Sequence, residues 1–148
     1  MSALGANPAP ESRLRAVRDA AVIDVGSNSV RLVLYRLEGR AIWTVYNEKV
    51  LAGLGRDLGA TGRLSTGGVD VALAALRRFR AVLDAAAPEA IFTAATAAVR
   101  EASDGADFVG RVQAETGLTL RVLSGQEEAR YAALGRQARR RHHSSLVP

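Results

Sequence analysis

The sequence contains no cysteine, which excludes a disulfide framework, a thiolate metal site and a cysteine nucleophile, and with them redox and zinc-finger functions. It also lacks any apolar run approaching the roughly 20 residues that cross a bilayer. Its first residues, Met1 to Pro10, do not have the basic and then apolar layout of a secretion signal. The expectation is a cytoplasmic protein with no membrane partner. Acidic residues are missing from the C-terminal end. Residues 1–135 carry 16 Lys plus Arg against all 15 Asp plus Glu, and the rest of the +5 net charge is Arg136, Arg139, Arg140 and Arg141, beside His142 and His143. The basic excess is local, so it points to a solvated tail rather than a nucleic-acid surface, and no specific nucleic-acid partner is expected.

What is present suffices for one domain: 148 residues, 48% of them hydrophobic, can bury a core. Residues 1–19 read as a disordered or short helical lead-in, residues 20–135 as a globular lobe, and residues 136–148 as a disordered basic tail.

Val22, Ile23 and Val25 predict a buried strand, and Val30, Leu32 and Leu34 alternate with Ser29, Arg31 and Val33 as the second arm of a hairpin should. Ala41 to Leu51, after the Glu38-Gly39-Arg40 turn, predicts a third antiparallel strand. Glycine-rich Ala52 to Arg63 is expected to be a loop. Ser65 then caps a helix from Gly67 to about Ala86, whose apolar stripe is Val69, Leu73, Leu76, Phe79, Val82 and Leu83. Beyond Pro88 come a short buried strand at Ala90 to Ala94, a helical stretch around Phe108 to Glu115 ended by Gly117, a strand at Leu118 to Leu123, and a last helix from Gly125 to about Leu134. Three antiparallel strands followed by α-β-α-β-α predict an α/β fold of the ribonuclease H-like, actin-like ATPase type, of which this is one lobe.

Three segments carry the chemistry. In Ile23-Asp-Val-Gly-Ser-Asn-Ser-Val-Arg-Leu32 the hairpin tip, Gly26, Ser27, Asn28 and Ser29, offers free N–H groups and small polar side chains to a phosphate. Asp24, at the strand end, is placed to hold a divalent metal beside it. An ordinary hairpin turn is the competing explanation. In Thr93-Ala-Ala-Thr-Ala-Ala-Val-Arg-Glu101 small residues lie just past the carboxyl end of a strand, where open α/β sheets bind ligands. Arg100 there is a planar fork for phosphate oxygens, unless it pairs at the surface with Glu101 or Asp104. In Ser124-Gly-Gln-Glu-Glu-Ala-Arg130, Ser124 and Glu127 fit a capping box, which leaves Glu128 free to orient and deprotonate a water. The attraction of a helix start for acidic residues would also place a Glu there.

Taken together and in this order, the three segments closely resemble the exopolyphosphatase and guanosine pentaphosphate phosphatase family, Ppx/GppA, from about Ala20 to Gly135. The resemblance implies a phosphate loop at Gly26, Ser27, Asn28 and Ser29 with Asp24 as metal ligand, a phosphate-binding Arg100 and a general base at Glu128. It also implies Mg²⁺ or another divalent cation as cofactor, and release of terminal phosphate from polyphosphate or from guanosine pentaphosphate. Members of that family continue into a second lobe opening with Asp-x-Gly-Gly-Gly-Ser-x-Glu, whereas no Gly-rich strand turn follows residue 67 here. The switch to Arg, His and Ser after Gly135 reads as truncation or frame shift, with a natural short variant as the alternative. On this reading the chain alone is inactive, unless a homodimer supplies the opposite wall. A sugar kinase or other ATPase lobe of the same superfamily, or a non-catalytic phosphate-binding fragment, is the alternative function.

Overall fold

The computed structural model describes the backbone of residues 17–144 and the side chains of residues 17–137. Three strands open the chain: β1 (Val17–Val25), β2 (Ser29–Glu38) and β3 (Ala41–Leu51). Each pairs antiparallel with the next, Val22 opposite Val33 and Val33 opposite Asn47, with a bulge between Leu34 and Tyr35. Gly39, at φ 61, makes the second turn in a conformation that suits glycine. The first strand starts earlier than the sequence suggests. Val17 to Asp19, expected to close a lead-in that might be helical, extend β1 instead, because the long β2 arm offers them partners. Asp19 receives both hydrogen bonds of the Arg36 guanidinium across this extension, at 3.0 and 3.1 Å. The rest of the expected lead-in lies outside the described residues.

The segment expected to be loop contains one short helix, α1 (Leu58–Thr61), closed by Gly62 at φ 68. Ser65 caps α2 (Thr66–Ala86) by accepting from the Gly68 N–H, as its sequence indicates. The apolar stripe of α2 then lies on the sheet, with Leu73, Leu76 and Phe79 fully buried. β4 (Ala90–Ala95) runs parallel to β1, and α3 (Ala97–Glu101) and α4 (Gly105–Thr116) follow it. Gly117, at φ 70, ends α4 as expected.

β5 is shorter than the expected strand: only Arg121 and Val122 pair, parallel to Ala94 and Ala95 of β4. The last helix, α5, is longer, running Gly125–Ser144 rather than ending near Leu134. It passes through most of the stretch expected to be a disordered tail, whose Arg, Gln and Ala are good helix formers. Residues 145–148 lie outside the described region.

The strand order is β3-β2-β1-β4-β5, antiparallel through the first three and parallel from β1 to β5. This is the ribonuclease H-like, actin-type α/β arrangement. The core occupies one side of the sheet, where Ala21, Ile23 and Val25 of β1 and Val30, Leu32 and Leu34 of β2 meet α2, α3 and α4. The other side is open. Alternation turns Val22 and Asp24 towards it, and β4, expected to be a short buried strand, leaves Phe92 62% exposed. Among the described residues α5 adds nothing to the core cluster, and Tyr131 and Leu134 stand exposed.

Candidate active site

The hairpin tip is a tight backbone turn in which the Gly26 N–H donates to the Ser29 carbonyl at 2.9 Å. Asp24, just before it, stands opposite Arg31 on β2 and beside Ala94 on β4. The Thr96 N–H donates to the Val25 carbonyl at 3.1 Å, which ties the start of α3 to the strand end that carries the tip. The Leu123 N–H donates to the Ala95 carbonyl at 2.9 Å and brings the start of α5 to the same sheet edge. Three stretches distant in sequence meet there through backbone bonds alone.

Their side chains meet as well. Arg100 turns inward: its Nη1 donates to the Leu123 carbonyl at 2.8 Å and to Glu128 Oε2 at 3.2 Å, while Glu101 lies 3.7 Å from Nη2. Asp104, the other expected surface partner, instead takes the Leu64 N–H and pairs with Arg63. The two glutamates separate as the capping box requires. Glu127 accepts from the Ser124 N–H, and the Ser124 hydroxyl accepts from the Glu127 N–H, at 3.3 and 3.1 Å. Those bonds hold the Glu127 carboxyl below its ordinary range: the Ser124 N–H contributes most, and Arg121, its salt-bridge partner, helps. Glu128 faces the other way.

A cavity of about 790 Å³ opens between the uncovered sheet face and α5, lined among others by Asp24, Phe92, Thr96, Leu123, Glu128 and Tyr131. Of the residues singled out in the sequence, Asp24 and Glu128 line it directly. Arg100 reaches it through its bond to Glu128, and the tip, Gly26, Ser27, Asn28 and Ser29, adjoins Asp24 along the chain but does not line it. Asp24 is exposed at this cavity, yet the protein around it displaces part of its water, and that desolvation raises its proton affinity above the usual aspartate value. The nearby Glu128 carboxylate raises it further, and Arg31 opposes both.

Arg31, Phe92, Arg121 and Tyr131 were not singled out by sequence. Arg31 could have been found by counting the hairpin register, which puts it across from Asp24. Phe92 and Tyr131 carry no such signal, since aromatics in a strand and a helix read as core.

The Ppx/GppA phosphatase family model matches residues 32–146. A crystal structure of the Aquifex aeolicus Ppx/GppA family member is similar at 29% identity and a TM-score of 0.77, covering 81% of this chain and 39% of that one. An exopolyphosphatase from Cytophaga hutchinsonii matches at 29% identity and a TM-score of 0.69, covering 74% of this chain and 35% of its own. An exopolyphosphatase-like protein matches at 28% and 0.71, covering 76% and 34%. The chain therefore spans well under half the length of these relatives.

Proposed function

The chain belongs to the Ppx/GppA phosphatase family, and on that footing we propose that it is the phosphohydrolase lobe of an enzyme that releases terminal phosphate from polyphosphate or guanosine pentaphosphate. The observation that carries the reading is the Arg100–Glu128 pair at 3.2 Å on the rim of the cavity that Asp24 lines. A cation fork for phosphate, a carboxylate free of its cap and a second carboxylate at a strand end occupy one sheet edge. An in-line displacement at phosphorus needs these parts, because positioning and charge neutralisation supply most of the rate.

In this scheme the Ser27 and Asn28 N–H groups and the Arg100 guanidinium bind the phosphate oxygens. Glu128 orients the attacking water and takes its proton. Arg100, bonded to Glu128, holds that carboxylate at the rim.

The donor set suits Mg²⁺ as the metal. Among the described residues no group of three or more His, Asp or Glu could cage an ion. Mg²⁺ commonly takes one or two carboxylates and completes its shell with water and substrate oxygens. Asp24, a hard oxygen donor whose negative charge is disfavoured by desolvation and by Glu128, would hold it. A bound cation there would neutralise charge on the bridging and leaving oxygens.

No helix among the described residues is long and apolar enough to cross a membrane. A cytoplasmic setting belongs to this proposal, as does a homodimer should the chain act without further sequence. The sugar-kinase alternative is disfavoured by Ser124-Gly-Gln-Glu-Glu-Ala-Arg130 and by the family match that spans it.

Glu128 can be tested in this chain extended by a family second lobe, with phosphate release from polyphosphate as the assay. Glu128→Gln keeps shape but loses the base, and should lower turnover by about 10² to 10⁴. Glu127→Gln should leave turnover near the unaltered value. The opposite pattern would exchange the two roles, and no effect from either would refute the hydrolytic mechanism.

A further inference from the structure

A turn can present N–H groups to a phosphate only if its carbonyls are drawn away and held. The segment Ala52–Gly55, which no site motif includes, does this for the hairpin tip. The Gly55 N–H donates to the Ser27 carbonyl at 2.9 Å, and the Ala52 and Gly53 N–H groups both donate to the Asn28 carbonyl at 3.0 Å. Among the described residues the Ser27 and Asn28 N–H groups donate to no protein acceptor.

The segment is itself fixed from behind. Leu54 is fully buried, and its carbonyl accepts from the Ser65 N–H at 2.9 Å. Gly68, at the start of α2, sits so close that a Cβ there would lie 2.9 Å from the Gly53 carbonyl oxygen and 3.0 Å from that of Ala52. Gly53 has φ +67, a left-handed conformation that glycine adopts without strain. Gly55 fills the narrow space between the tip and α3: a Cβ on it would lie 3.2 Å from Ser27 Cβ and 3.4 Å from Ala98 Cβ.

We propose that Ala52–Gly55 is a positioning element of the phosphate site, in which Gly55 sets the spacing between the Ser27–Asn28 turn and the helix that carries Arg100. The proposal rests on the phosphate-binding reading given above. A methyl group at Gly55 obliges the turn and α3 to separate by a few tenths of an ångström, so a phosphate held by one is displaced from the other, and positioned interactions are sensitive to such shifts. Gly59, in the same stretch, has nothing within 4 Å of an added Cβ and serves as the control.

The test is a titration of the ¹⁵N-labelled full chain with sodium tripolyphosphate, combined with amide hydrogen exchange. In the unaltered chain the Ser27 and Asn28 amides should shift saturably, and the Ala52, Gly53 and Gly55 amides should be protected from exchange. Gly55→Ala should weaken tripolyphosphate severalfold while core amides such as Ile23 and Leu76 keep their shifts, whereas Gly59→Ala should bind within about twofold of the unaltered chain. If Gly55→Ala does not fold, Gly68→Ala displaces the same segment from the α2 side and carries the same expectation. Unchanged affinity in the folded variant would overturn the proposal. Should tripolyphosphate leave the unaltered chain unmoved, the phosphate-binding reading falls. The positioning element is then judged on exchange, and is overturned if Ala52, Gly53 and Gly55 exchange as fast as the exposed Gly39 turn.

Discussion

At the end of β1, Asp24 is held ionisable against the preference of its surroundings. Desolvation, and then the Glu128 carboxylate, raise its pKa above the ordinary value of 3.8. The folded chain thus binds this proton more tightly than the unfolded chain does. The stability tied to it is complete below the ordinary aspartate pKa and is lost as pH rises through the raised one. Asp24→Asn removes the penalty, so its melting temperature should exceed that of the unaltered chain near neutral pH, with the gap narrowing as pH falls through the raised pKa and closed below 3.8. A thermal melt series across pH checks this, and a lower melting temperature at neutral pH would contradict it. Gly105 poses a steric problem instead, because a Cβ there would lie 1.9 Å from the Val99 carbonyl oxygen. Gly105→Ala must push α4 from α3, next to Arg100, at a cost of about 1–3 kcal/mol or more in a denaturant melt. Asp24, Arg100 and Glu128 could be picked out as candidates from residue type and position. The Gly105 contact could not, because it depends on how two helices three residues apart fold back on each other.

The elements differ in how far local sequence determines them. The α2 stripe and its Ser65 cap are short-range patterns, and both stand where the sequence puts them. The Ser124–Glu127 capping box likewise marks the start of α5. β4 and β5 depend on what lies across the sheet, which composition does not report. Phe92 and Ile91 suggest a buried strand, yet both are exposed although they point to opposite faces of β4, and α5 adds no core residue to cover the open side. The end of α5 lies beyond the expected boundary for a different reason: the helix propensity of Arg, Gln and Ala outweighs the repulsion within a run of like charge. Since no described residue of α5 belongs to the core cluster, deleting Gln137 to Pro148 should shift the melting temperature by no more than about one or two degrees. Far-ultraviolet circular dichroism should lose helical signal in the same variant. A large drop in melting temperature would mean that the distal part of α5 packs against the domain.

For the whole molecule, the topology does what no single motif can. The path from β3 through α2 to β4, which pairs parallel with β1, and from β4 through α3 and α4 to β5, places three strand ends side by side. The segments that follow those ends carry the tip, Arg100 and Glu128. The sequence order of the motifs was legible, and the parallel crossovers turn that order into proximity. The cavity was not legible. It is formed by the angle at which α5 leaves the sheet, which depends on long-range pairs such as Arg100–Glu128 and not on an apolar pattern in residues 125–137, exposed or half-exposed along their length.

Phosphate binding at this convergence is the central claim, and calorimetric titration of the full chain with tripolyphosphate in the presence of Mg²⁺ tests it most directly. The account predicts saturable binding that Arg100→Ala weakens about tenfold or more and Glu128→Gln largely preserves. Absence of saturable binding, or binding that survives Arg100→Ala undiminished, would contradict it.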